Sequence, residues 1–137
     1  MINKDYLYTK NWDDIDSVVL EHGALYLYAQ DPEDRSRHCA LNLSINNTDA
    51  IFEEISINDN DQMVLSSNNS IVPLSSTEAI CRFFSLFTFQ VLYIEVTGMC
   101  CRLVAPLIKY AIQKTSTVFF HWRSRLCDPG TIMARAQ

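Results

Sequence analysis

The sequence predicts an α+β fold, an antiparallel N-terminal β-meander followed by α-β-α-β, with the helices packed on one face of the sheet. Three observations carry it. Short runs of alternating apolar and polar residues occupy the first 70 positions, a helix-start signal opens at Ser75, and the chain changes character near residue 70. Residues 1–70 hold 13 acidic and 4 basic side chains and residues 71–137 hold 3 and 7, so an overall charge of −5 is the sum of −9 and +4. With 137 residues, 48% of them apolar, the expectation is a single domain over 1–137, its acidic strand-rich part at 1–70 and its apolar helix-containing part at 71–137.

The elements follow in order. Asn11-Trp12-Asp13-Asp14 reads as a helix start with acids in its first turn. Val18–Leu20 and Ala24–Ala29 flank His22-Gly23, a two-residue link of the hairpin kind. In Leu25-Tyr26-Leu27-Tyr28 the leucines and tyrosines fall on opposite faces. Asp31-Pro32-Glu33-Asp34 breaks the strand, and Cys39, Leu41, Leu43 and Ile45 alternate again, which predicts a further strand and a sheet with one wet face. Thr48–Ile57 has both helical and strand spacings; the turn cluster Asn58-Asp59-Asn60-Asp61 and the returning Met63-Val64-Leu65 favour a strand. Ser66–Ser70 is a polar connection.

Ser75-Ser76-Thr77-Glu78 has the form of a capping box, which starts a helix running to about Phe87 with Ile80, Phe83, Phe84 and Phe87 inward and Arg82 and Ser85 outward. Gln90–Val96 is rich in β-formers, and Gly98 can take the turn after it. A second helix, about Met99–Lys114, is apolar apart from a stripe of Arg102, Lys109 and Gln113, with Pro106 inside it. It belongs in the core or in a homodimer interface. Thr117–Leu126 is a strand with Phe119, His121, Arg123 and Arg125 on one side, ended by Asp128-Pro129-Gly130 and followed by a short tail.

Several functions are disfavoured. The N-terminus lacks the charged and apolar regions of a secretory leader, and five cysteines without a Cys-x-x-Cys pair suit neither a disulfide framework nor zinc, so a cytoplasmic protein is expected. Phe83–Ile94 is uncharged but shorter than a membrane span. The three histidines are not at metal-ligand spacing, the Asn58–Asp61 cluster lacks the glycine and distal glutamate of a calcium loop, and three glycines in total leave little material for a phosphate-cradling loop. Neither cofactor nor metal is expected, and no catalytic constellation stands out; His38-Cys39 would point apart in a strand, and Cys100-Cys101 reads as buried thiols at a helix start.

Two binding readings remain. Glu53, Glu54, Asp59 and Asp61 with Tyr26 and Tyr28 compose a surface suited to a basic protein, the carboxylates steering the encounter and the tyrosines anchoring it, in the manner of small acidic inhibitors and immunity proteins. The alternative is a small anionic ligand, or nucleic acid, held by His121, Arg123 and Arg125 of the last strand with Arg102 and Lys109 of the helix before it, in a binding domain or in an enzyme whose site is assembled from scattered residues. The net charge of −5 opposes a phosphate backbone, which places nucleic acid behind a small ligand.

Overall fold

The computed structural model describes residues 8–11, 18–30, 35–96, 98–114, 117–123 and 129–135, with side chains over 18–30, 36–96 and 98–111. Its elements are β1 (Tyr8–Asn11), β2 (Ala24–Ala29), α1 (Arg35–Asn46), β3 (Ile51–Ile57), β4 (Gln62–Leu65), β5 (Ile71–Pro73), α2 (Thr77–Ser85), β6 (Val91–Glu95), α3 (Cys101–Lys114), β7 (Thr117–Arg123) and β8 (Pro129–Arg135). The chain is thus mixed α and β. Among the described residues eight strands form one sheet in the order β1-β8-β7-β6-β2-β3-β4-β5, and the side chains of the five strands β2 to β6 are described.

The sheet is not the antiparallel meander that the alternation suggests. β2 pairs in parallel with both β3 and β6, and β6 in parallel with β7; antiparallel pairing is confined to the flanks, β3-β4-β5 on one side and β7-β8-β1 on the other. Because β2 lies between β3 and β6, His22-Gly23 is a turn leading into β2 and not a hairpin, and Val18–Leu20 is not a strand. Gly23 turns there at φ +70°, and its carbonyl accepts from the Gln90 amide at 2.8 Å.

A parallel pair needs a crossover, and α1 supplies the one between β2 and β3. It occupies the segment whose Cys39, Leu41, Leu43 and Ile45 imitate a strand. The residues that α1 and the position after it bury are Ser36, Cys39, Ala40, Leu43 and Asn47, at helical spacing, whereas Leu41 and Ile45 stand 56% and 71% exposed. Two of the five buried residues are polar and one is alanine, so the helical pattern is faint beside the false alternation.

The helices lie on both faces of the sheet, another departure from expectation. Leu25, Leu27, Leu92 and Ile94 point into a cluster with Ile80, Phe83 and Phe84 of α2 and Leu103, Leu107 and Ala111 of α3. Tyr26 and Tyr93 point the other way, into a cluster with Cys39, Ala40 and Leu43 of α1. Parallel strands covered on both faces have no wet side, which withdraws Tyr26 from solvent. Each fully buried Leu, Ile or Phe side chain in these layers contributes roughly 1.5–3 kcal/mol. From α3, Leu103, Leu107 and Ala111 are buried in the first cluster, with Tyr110 packed against it.

Asn47 joins the segment before β2 to the end of α1: its Oδ1 accepts from the Leu20 amide at 2.8 Å, and its Nδ2 donates to the carbonyls of Leu43 and Val18 at 2.8 and 3.1 Å. The Asn58–Asp61 turn is closed by the Asn58 side chain, whose Oδ1 accepts from the amides of Asn60 and Gln62 at 3.0 Å each. Helix α2 begins one residue later than the capping-box register suggests: Ser76 is the N-cap, and its hydroxyl accepts from the Ala79 amide at 3.2 Å. Ile80, Phe83 and Phe84 are buried as expected, and the helix ends at Ser85, before Phe87. β7 is described over Thr117–Arg123, the anticipated continuation to Leu126 lies outside the described residues, and the anticipated tail contains β8. The proposed helix start at Trp12 lies outside the described residues. Among the described residues no helix is long and apolar enough to cross a membrane.

Candidate functional site

Strand directions bring the start of all three helices to one edge of the sheet. β2, β5 and β6 each run toward that edge and are followed by α1, α2 and α3. At the centre, the chain leaves β2 through α1 toward β3 over one face and leaves β6 through α3 toward β7 over the other. Between the carboxyl ends of β2 and β6 the connections therefore diverge. In open sheets of this kind such a topological switch leaves a crevice, where ligands bind.

The residues at the switch are tightly placed. Gly98, just after β6, lies so close to β2 that a Cβ on it would stand 2.2 Å from the Ala29 carbonyl oxygen and 3.0 Å from Ser36 Oγ. Ser36, in the first turn of α1, is 1% exposed, and Glu95, the last residue of β6, is 0% exposed. The Tyr26 phenol is pushed well above its ordinary value, by burial first and then by the neighbouring Cys39 and Glu95; its hydroxyl is 3.9 Å from Cys39 Sγ. Neither α1 nor α3 has an acid in its first turn, while α1 carries Arg35 and Arg37 there and α3 carries Arg102. The amide ends of both helices thus reach this edge without a helix-borne acid, while Arg37 and Arg102 are held in ion pairs by Glu54 and Asp61.

The acidic set anticipated from sequence does not compose one surface. Tyr26 is buried, in ring contact with Phe52 at 5.2 Å and Tyr93 at 6.1 Å, and cannot anchor a partner. Glu53 and Glu54 are successive residues of β3 and face opposite sides of the sheet. Glu54 accepts from Arg37 Nε at 3.0 Å and Nη2 at 2.8 Å, a bidentate pair that holds its carboxyl below the usual range. Tyr28 is partly buried beside it, its phenol raised by burial and then by Glu54. Glu53 accepts from the Ser67 hydroxyl at 3.2 Å. Asp59 and Asp61 are exposed in the β3–β4 turn, with Asp61 paired to Arg102.

Of the basic set, Arg102 and Lys109 lie on the side of α3 that lines an open groove against α2 and the end of β5. The backbone of β7 puts His121 opposite Glu95 and Arg123 opposite Pro129; their side chains, and Arg125 altogether, lie outside the described residues. Sequence reasoning missed Glu95 and Ser36 as site residues. A lone carboxylate between Ile94 and Val96 was the available signal, since a charge at the end of an otherwise apolar strand needs a reason to be there.

No protein-family model matches the chain, and no curated protein or solved structure is significantly similar to it.

Proposed function

We propose that this chain is a small-ligand-binding domain whose site is the crevice between the carboxyl ends of β2 and β6, and that its ligand combines an anionic group with hydroxyls. One observation carries the reading: the connections leaving the paired parallel strands β2 and β6 diverge to opposite faces, beside a Gly98 so close to Ala29 that it has no room for a side chain. The helix starts at α1 and α3 turn backbone amides toward this edge, which favours a negative group there. Buried Glu95 and Ser36 add polar groups suited to hydroxyl recognition.

Calorimetric titration with ribose 5-phosphate, and with ribose as its uncharged counterpart, tests this. The phosphate ester should bind and ribose should bind at least about tenfold more weakly. Equal binding of both, or of neither, removes the reading. Capture of a basic protein through the acidic residues has less behind it, because Tyr26 is inaccessible and both Glu54 and Asp61 already hold arginines.

A further inference from the structure

We propose that the groove between α2 and α3 is a second binding site, for a small carboxylate bearing one compact apolar group. The outer groove has a volume of ≈ 600 Å³, with Asn60, Asp61 and Gln62 on one wall, Arg102, Ala105 and Pro106 on another, and the Pro73-Leu74-Ser75 segment completing it. It shares Leu74, Ser75 and Pro106 with a smaller recess of ≈ 100 Å³ that Ile80, Tyr110, Thr77 and Lys109 complete. The outer volume is that of ordinary small-molecule sites, and the recess is of the order needed for a short branched alkyl group.

The walls are fixed in advance. Tyr110 stacks face to face on buried Phe84, with ring centroids 4.0 Å apart and 2° between planes. Proline at position 106 restricts α3 where the two spaces meet, and it has no N–H to offer the Arg102 carbonyl. The charges select the ligand's sign: Asp61 and Arg102 neutralise one another, while Lys109 has no carboxylate partner among the described residues. The lining is therefore net positive in a chain of net charge −5. A recess walled by Leu74, Ile80, Pro106 and Tyr110, with the Lys109 ammonium and the Ser75 and Thr77 hydroxyls at its edge, matches a single carboxylate on a short hydrocarbon. Glu95, Ser36 and Gly98 take no part, so this site stands or falls separately from the switch-point reading.

The probe is 4-methylpentanoate, with 4-methylpentanamide as its uncharged counterpart, titrated into the full chain and followed by the NMR signals of the Leu74 and Ile80 methyls and the Tyr110 ring. The carboxylate should give saturable shifts at these three residues, the amide should bind at least about tenfold more weakly, and Lys109→Gln should weaken the carboxylate by about the same factor. Ala105→Trp, which adds bulk at an exposed position in the groove wall, should block binding while leaving the fold intact. The proposal is overturned if shifts fail to saturate, if they centre elsewhere, if acid and amide bind equally, or if folded Ala105→Trp binds as well as the parent chain.

Discussion

Replacing Asn47 by alanine deletes three hydrogen bonds at a site only 3% exposed and leaves the Leu20 amide and the carbonyls of Val18 and Leu43 without those partners. At a net worth of about 0.5–1.5 kcal/mol for each bond, the loss comes to about 1.5–4.5 kcal/mol. The entropy of unfolding typical per residue converts this, for a chain of 137 residues, to a fall in Tm of about 5–16 °C. Thermal unfolding followed by circular dichroism at about 222 nm reads the loss directly. Native-state hydrogen exchange at the Leu20 amide reads the local part, because that proton should lose its protection ahead of those in β2. A destabilisation under about 0.5 kcal/mol, with the Leu20 amide still protected, would refute the reasoning that Asn47 pins the entry to β2.

Ser76→Ala should cost α2 about 1 kcal/mol and Ser75→Ala less than about 0.5, a difference that urea titration resolves and that would vanish if the cap stood at Ser75. The Arg37 guanidinium holds the Glu54 carboxyl below its usual range, so the stability from this pair is complete above the unfolded carboxyl value of about 4.3 and is lost as pH falls through the lower folded value. With Arg37 partly exposed, the pair should contribute on the order of 1 kcal/mol; in Arg37→Ala an NMR titration should find the Glu54 carboxyl moved up, and an unmoved carboxyl would contradict the pairing. Gly98→Ala should destabilise by about 1–3 kcal/mol, since its Cβ cannot avoid the Ala29 carbonyl without a backbone shift, and a neutral result in thermal unfolding would mean that β2 and the loop after β6 are not in contact.

What could be read from sequence was whatever depends on neighbouring residues. The inward set of α2, the strand at Val91–Glu95 and the turn at Asn58–Asp61 all follow from local spacing and turn chemistry. What escaped depends on distant pairing. Leu25-Tyr26-Leu27-Tyr28 looks like a half-wet antiparallel strand, and only β3 and β6 on either side, with helices above and below, make Tyr26 a core residue. Cys39–Ile45 alternates by accident, and the residues that bury α1 include Ser36 and Asn47, which no hydrophobic pattern marks. The basic and acidic halves were legible as composition, but the contact between Arg102 and Asp61 that joins them was not. The candidate site was less legible still, because a switch point is a property of strand order and its residues come from separate segments.

The register of β2 has a consequence for how the molecule comes into being. Its partner β3 follows within a few tens of residues, but its other partner β6 emerges more than sixty residues later. During synthesis β2 therefore waits with one row of amides and carbonyls open and apolar side chains on both faces, the condition in which strands of different molecules join. A nascent chain cut short before Val91 should be prone to aggregate and dependent on chaperones, and a chain severed at Ser66–Ser70 should regain order only when both pieces are present. How quickly the ribosome makes the stretch between β2 and β6 sets how long this exposure lasts.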